Sequence, residues 1–159
     1  MIERGQSQVC LDYAEREQAQ TTFNNSRTVM ILRNSLYSII QQTQTGASTT
    51  YQVKLHADHV IYLAHFPGEP ITPGVCIIQL ARELMEDYWH CPLVVSTVKN
   101  AKFLSVISPN ATPVVTCVLN SLTVDADHAV YSAKMMVMDA DRPLAKLSLI
   151  CTAHDDRRQ

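Results

Sequence analysis

The feature that most limits the fold of this chain is a proline- and glycine-dense loop that leads directly into a long apolar segment. Three prolines and two glycines lie between Phe66 and Gly74, and each proline fixes its own backbone φ angle. Thr72 then stands where a helix N-cap is expected, with Pro73 at the first helical position. The pattern predicts a helix from Pro73 to about Tyr88. Because its apolar residues cover nearly the whole circumference, we expect this helix to be buried.

Segments with the character of β-strands lie on both sides of the predicted helix. Before it, apolar residues at 36–40 and 51–55 flank turn residues at 45–48, which predicts a hairpin. After it, turn signals separate four segments rich in Val, Leu, Thr and Tyr, at 94–104, 112–122, 129–138 and 144–154. Their spacing predicts an antiparallel meander. The expected fold class is therefore α+β, with one antiparallel sheet folded against one long helix.

The chain length of 159 residues suits one domain with a core of its own. Residues 1–29 contain helix-favouring residues but no sustained apolar stripe. We therefore expect an N-terminal leader at 1–29, flexible or forming a short helix, and a single folded domain at 30–159.

Charge and composition exclude several classes of protein. The 13 Lys and Arg residues do not outnumber the 15 Asp and Glu residues, so a nucleic-acid partner is not expected. No apolar run approaches the roughly 20 residues that span a bilayer, and the N-terminus has no apolar core of a signal peptide. We expect a cytoplasmic protein with reduced, buried cysteines. The five cysteines are scattered, at Cys10, Cys76, Cys91, Cys117 and Cys151.

The loop before the predicted helix combines a histidine with a helix N-terminus. That terminus exposes backbone N–H groups and carries a partial positive charge. Gly74 has no side chain to block its amide, so a carbonyl oxygen could approach it closely. His65, just upstream, is a candidate general base beside this oxyanion site. The alternative is that His65 is a hydrogen-bonded structural residue of the loop. No metal site is expected, because His56 and His59 point to opposite faces of an extended strand.

The segment HFPGEPITPGVCIIQ resembles the HFPG-x-P-(hydrophobic)2-PGV motif of the 3-hydroxyacyl-acyl-carrier-protein dehydratases. A second stretch, 100–103 followed by 107–110, looks like that family's N-V-R-F…V-V-P-G strand and turn. The resemblance covers residues 35–154. It implies a hot-dog fold, in which a long central helix is wrapped by a curled antiparallel sheet, and an obligate dimer. It also implies an acyl thioester as substrate, of acyl carrier protein or coenzyme A, and no cofactor.

The resemblance also implies roles for individual residues. In these dehydratases water is eliminated from a 3-hydroxyacyl thioester. At the matching positions, His65 would remove the proton alpha to the thioester and the Gly74 amide would polarise the carbonyl. The family's Glu or Asp that protonates the leaving hydroxyl corresponds here to Gln79. Since a neutral amide cannot give up a proton at any accessible pH, we expect Gln79 to position the hydroxyl or a water.

Glu83 is the nearest carboxylate on the same face of the predicted helix, at a position where the family usually has glutamine. Four residues displace a group by roughly 6 Å along a helix, so Glu83 would need a bridging water to relay a proton to the same hydroxyl. The alternative is that Glu83 belongs to the helix's polar stripe with Arg82 and Glu86, paired at i,i+4 and i,i+3.

Further residues are predicted to contact the substrate or its carrier. Phe66 and Ile71 are candidates to line the acyl chain, although both could instead belong to the core. Lys99 and Lys102 are candidates to receive an acidic carrier protein. A coenzyme A thioester is the other expected form of substrate.

The leading function is thus a dehydratase-type lyase that forms an enoyl thioester, with His65 as base. In a second interpretation the chain is a catalytically weakened subunit that binds acyl chains or pairs, as a heterodimer, with a homologue that has the carboxylate. A third is thioester hydrolysis, with Gln79 or Glu83 holding the attacking water; hot-dog scaffolds host such chemistry, so this rests on fold analogy alone.

Overall fold

The computed structural model describes residues 32–64 and 68–154, and the predicted leader at 1–29 lies outside these ranges. Six strands and two helices are present in the described residues. They follow in the order β1 (Tyr37–Thr45), β2 (Ser48–Leu55), α1 (Val60–Ala64), α2 (Gly74–Trp89), β3 (Leu93–Phe103), β4 (Val114–Asp125), β5 (Val130–Asp139) and β6 (Arg142–Ala153).

The strands form one antiparallel sheet in the order β1-β2-β4-β5-β6-β3. The hairpin of β1 and β2 is as predicted, and Gly46 in its turn has a positive φ of 58°. The predicted meander is correct for β4 to β6 but wrong for β3, which pairs with β6 at the far edge. Since α2 separates β2 from β3 in sequence, the chain crosses to the far edge and returns to add β4 beside β2.

Register shifts bend the sheet around the helix. They occur in β1, in β3 twice, in β4 and in β6, where Leu144 is the extra residue opposite β5. An extra residue in one strand bends that strand and increases its twist, so these irregularities curl the sheet. The architecture is the predicted α+β hot-dog arrangement, with α2 against one face of a curled antiparallel sheet.

The core lies between α2 and the inward face of the sheet. In β2 alternate residues are buried, as expected for a strand with one face on the core. Trp89 at the end of α2 meets Tyr131 of β5 edge to face, with ring centroids 5.1 Å apart. Helix α2 is buried along most of its length, as predicted, but its buried residues include Arg82 and Glu83.

The start of α2 differs from the prediction by one residue. Pro73 is the N-cap, in an extended conformation, and the first helical residue is Gly74. Thr72 does not cap the helix because its side chain is engaged elsewhere: its hydroxyl lies 3.0 Å from the hydroxyl of Tyr62. Its backbone N–H donates to the carbonyl of Ile107 at 2.8 Å. Thr72 therefore ties the loop to α1 and to residues after β3.

The cysteines follow the prediction only in part. Cys76, Cys117 and Cys151 are buried free thiols. Cys91 is disulfide-bonded, so the expectation of reduced thiols is wrong at this position. Cys10 lies outside the described residues.

In the described part of the chain, none of the helices has the length and apolar character needed to cross a bilayer. Within that part, no three His, Cys, Asp or Glu side chains are grouped so as to hold a metal ion.

Candidate active site

The two sequence motifs meet at the beginning of α2. A Cβ atom built on Gly74 would lie 2.8 Å from Cζ of Phe103, at the end of β3. Only glycine therefore lets the ring of Phe103 pack directly on the backbone at the helix start. Phe103 as a whole residue is 48% exposed. The structure thus places an apolar, half-exposed ring beside the residue predicted to bind the thioester carbonyl.

The backbone of Gly74 is suited to that predicted role. The carbonyl of Pro73 accepts the first hydrogen bonds of the helix, from Cys76 N–H and Ile77 N–H. Among the described residues, none accepts a hydrogen bond from the Gly74 N–H. A donor in the first turn of a helix, without a partner in its own helix and aligned with the helix dipole, favours a partly negative oxygen.

Gln79 is half-buried one and a half turns further along α2, and both ends of its amide are held. Its Nε2 donates to Oε1 of Glu83 at 2.9 Å. Its Oε1 accepts from Nε of Arg82 at 3.3 Å. The amide cannot be reversed without facing donor against donor and acceptor against acceptor, because a carboxylate only accepts and a guanidinium only donates.

Glu83 is buried and its carboxylate receives four hydrogen bonds. Oε1 accepts from Leu32 N–H at 2.8 Å and from Gln79. Oε2 accepts from Arg33 N–H at 3.0 Å and from the hydroxyl of Tyr37 at 2.7 Å. A carboxylate offers about four lone-pair sites, so these donors use them all. A proton relay through Glu83 and a bridging water would require one of these donors to leave.

The Tyr37 phenol is protonated and acts as a hydrogen-bond donor to Glu83. Burial, followed by the nearby Glu83 carboxylate, raises the pKa of the Tyr37 phenol far above its ordinary value. The phenol therefore stays protonated and donates to Glu83. The same tyrosine begins β1, so Glu83 connects α2 to the start of the sheet.

Beyond Glu83 the polar groups of α2 continue toward its C-terminal half. Arg82 is buried and forms an ion pair with Glu86 four residues on. Arg82 also donates to the carbonyl of Leu93 at 2.9 Å, while Glu86 accepts from the Leu93 N–H at 2.8 Å. Burial raises the pKa of Glu86. The predicted i,i+4 pairing is present, but these side chains fasten α2 to β3 and do not form a solvated stripe.

The remaining predicted site residues fall into three groups. His65 and Phe66 lie outside the described residues. Ile71 is half-buried in the loop before α2. Lys99 and Lys102 are exposed on edge strand β3, and Lys102 lies directly opposite a further lysine, Lys146 of β6.

Two features of this region were not assigned to the site from sequence. Phe103 belongs to the motif at 100–103, yet only the folded chain shows that it contacts Gly74. The docking of residues 32–37 on Glu83 had no local signal, because its partners are 46 to 51 residues apart in sequence. The replacement of the family's glutamine by Glu83 was the one available hint.

A family model described as ApeI dehydratase matches residues 41–139, well over half of the chain. The chain belongs to the ApeI-like dehydratase family. In this ApeI-like protein the match extends from β1 to β5 and includes the loop, all of α2 and the Gly74–Phe103 contact. Among curated proteins, none matches the sequence.

Solved structures share the fold of this ApeI-like protein at low sequence identity. The dehydratase heterocomplex ApeI:P from Xenorhabdus doucetiae is 16% identical, with a TM-score of 0.54 over 72% of this chain and 96% of that chain. Cj0977, a sigma28-regulated virulence protein of Campylobacter jejuni, is 9% identical, with a TM-score of 0.59 over 83% and 95%. A proposed thioesterase, yhdA from Lactococcus lactis, is 9% identical, with a TM-score of 0.54 over 77% and 95%.

Proposed function

We propose that this protein is a dehydratase subunit that eliminates water from a 3-hydroxyacyl thioester. His65 takes the proton from the carbon alpha to the thioester carbonyl, and the Gly74 N–H binds the carbonyl oxygen as negative charge develops on it. The C–O bond to the 3-hydroxyl breaks, and the hydroxyl takes up a proton and leaves as water. Membership of the ApeI-like dehydratase family and a Gly74 N–H without an acceptor among the described residues support this reaction.

The observation that carries the proposal further is the missing proton donor. Gln79 is an amide, and all acceptor sites of Glu83 are taken by hydrogen bonds within its own chain. Removing a positioned general acid typically lowers a rate by about 10²–10⁴-fold. We therefore infer that a second hot-dog protein supplies the carboxylic acid, while this chain supplies His65, Gly74 and a Gln79 that positions the hydroxyl.

The edge of the sheet at β3 offers a surface for such a partner. β3 has a neighbour on only one side within the described residues. It also exposes Val94, Val98 and Phe103, and an exposed edge with apolar side chains favours pairing with another chain. The ApeI:P structure is itself named as a heterocomplex, which is in keeping with a pairing of two hot-dog chains here.

An acyl carrier protein is the proposed donor of the substrate, with coenzyme A as the alternative. Lys102 and Lys146 are directly paired across β3 and β6, and Lys99 is exposed on the same edge strand. Adjacent like charges on a sheet are unfavourable by themselves, and an acidic carrier would offset them. Charge reversal at Lys102 should raise KM for a carrier-bound substrate more than for a short, uncharged thioester.

The test measures enoyl product and free thiol in parallel from a 3-hydroxyacyl thioester. The chain alone should form little enoyl product, and adding the partner hot-dog protein or introducing Gln79→Glu should increase it. His65→Ala should abolish the activity of the mixture, whereas His128→Ala in an exposed turn should leave it unchanged. Full enoyl formation by the unpaired chain would contradict the need for a partner acid. Thiol release without enoyl product would point to hydrolysis instead.

A further inference from the structure

We propose that Glu83 is a positioning residue that sets the direction of the Gln79 amide for the substrate. The inference rests on the proposed function for Gln79, and it adds a role for a carboxylate that does not touch the substrate. Glu83 acts through Gln79, because its Oε1 accepts the Nε2–H of Gln79 at 2.9 Å.

The direction of the amide follows from the chemistry of its two neighbours. Arg82 is a donor only and meets the oxygen of Gln79, while Glu83 is an acceptor only and meets the nitrogen. If Glu83 were an amide, it could both donate and accept, and only the longer 3.3 Å bond from Arg82 would still oppose reversal of the Gln79 amide. A carboxylate at position 83 thus adds a second and shorter constraint on the direction of the Gln79 amide.

Residues 32–37 supply hydrogen-bond donors that take the place of water around the buried Glu83 carboxylate. Two backbone N–H groups, from Leu32 and Arg33, and the Tyr37 hydroxyl surround the carboxylate. The guanidinium of Arg82 lies 4.0 Å from it. A buried charge is tolerated when such hydrogen bonds replace water. Residues 32–37 therefore support the orientation of Gln79 indirectly, through Glu83, since none of these three hydrogen bonds involves Gln79.

The spectroscopic test follows the side-chain amide protons of Gln79 by NMR. These signals are assigned by their loss in Gln79→Met. In the native protein the proton that faces Glu83 should be shifted strongly downfield relative to its geminal partner. Glu83→Gln should move it upfield. Asp87→Asn is the matched control, since Asp87 holds the same segment through Arg33 at 2.6 Å but is not bonded to Gln79. Identical chemical shifts of the Gln79 amide protons in Glu83→Gln and in the native protein would overturn the proposal.

The kinetic test uses a double-mutant cycle in the active assembly. Glu83→Gln should lower kcat by about tenfold or more, as misplacement of a positioning group does, with a smaller change in KM. In the Gln79→Met background the same change should have little further effect, because the amide that Glu83 orients is gone. If the fold-losses in kcat of the two single variants multiply in the double variant, Glu83 has a structural role only and the proposal is overturned.

A second variant leaves the carboxylate and its segment intact and tests the contact even if Glu83→Gln does not fold. Gln79→Glu would place two carboxylates about 3 Å apart, and like charges that share a site raise one pKa. The pKa of one carboxyl of this pair would then be higher in the folded protein than in the unfolded chain. The folded protein would bind more protons, so the urea midpoint should fall as pH rises from 5 to 8. Gln79→Met should show no such added dependence. Equal pH profiles of the two variants would contradict the Gln79–Glu83 contact.

The two proposals fail separately. If no 3-hydroxyacyl thioester is turned over under any condition, the dehydratase function is wrong. The downfield Gln79 proton and its response to Glu83→Gln would still decide whether Glu83 orients the amide.

Discussion

At the residue scale, we expect hydrogen bonds to charged groups to contribute most to the free energy of unfolding, and Tyr37 makes such a bond. Its hydroxyl donates to the buried carboxylate of Glu83 at 2.7 Å. Tyr37→Phe should lower the free energy of unfolding by about 1.5–3 kcal/mol, the range for hydrogen bonds to charged groups. Tyr62→Phe is the control, because its bond to Thr72 is neutral and should contribute about 0.5–1.5 kcal/mol. Urea unfolding measures both. Equal losses would mean that the charge of Glu83 does not strengthen the bond.

Gly74 is constrained by a neighbouring ring and not by its own backbone angle. Gly74→Ala would place a methyl group 2.8 Å from Cζ of Phe103, so the half-exposed ring must move aside, and we expect a loss of about 1 kcal/mol, the low end for overpacking. In a Phe103→Ala background the same change should be stabilising by about 0.4–1 kcal/mol, since alanine lowers the conformational entropy of the unfolded chain relative to glycine. Thermal unfolding of the native protein, the two single variants and the double variant gives the sign of the change in stability in each background. A destabilisation of the same size in both backgrounds would exclude the ring as the cause.

The same contact shows how much of the candidate site the sequence could reveal. The spacing of the loop and the predicted helix located Gly74 and Gln79 correctly on α2, because helix periodicity is a local property. It could not show that Phe103 covers Gly74 or that residues 32–37 bind Glu83. Those contacts depend on which strand lies at the sheet edge and on pairings across about 50 residues, which no local pattern encodes.

At the scale of elements, local signals predicted strands and the long helix well but failed where tertiary contacts compete. Thr72 has the side chain of an N-cap, yet it bonds to Tyr62 and leaves Pro73 to begin α2. The short helix α1 was missed, since five residues give too little periodicity to recognise. The position of β3 was missed because alternation reveals a strand's faces but not its neighbours.

The turn between β5 and β6 is a place where the sequence is not optimal for its conformation. Ala140 has a φ of 51°, a left-handed conformation that is unfavourable for a residue with a Cβ. Ala140→Gly should therefore stabilise the protein by about 0.5–1 kcal/mol, after the entropy cost of glycine is included. Ala126→Gly, in the turn after β4, is the control without a positive φ and should be neutral or destabilising. Urea midpoints compare the two. A loss of stability in Ala140→Gly would contradict the assigned turn geometry.

At the scale of the whole molecule, one sheet and one helix share a single core, so opening it should be cooperative. Cys117 on β4 and Cys151 on β6 lie on strands separated by β5, and both are fully covered. Burial raises the pKa of each of these thiols to about 12. Since the thiolate is the reactive form, neither thiol should react with iodoacetamide at pH 8 until the core opens.

The alkylation of these two cysteines therefore reports global unfolding. Mass spectrometry of peptides sampled over time in increasing urea should give the same denaturant dependence for Cys117 and Cys151, matching the slope from circular dichroism. If the core opened in parts, Cys151, beside edge strand β3, would be alkylated at lower urea than Cys117. Its alkylation rate would also depend less steeply on urea concentration. Rapid alkylation of Cys117 in the native protein would show that the sheet does not protect its centre, and the single shared core would be wrong.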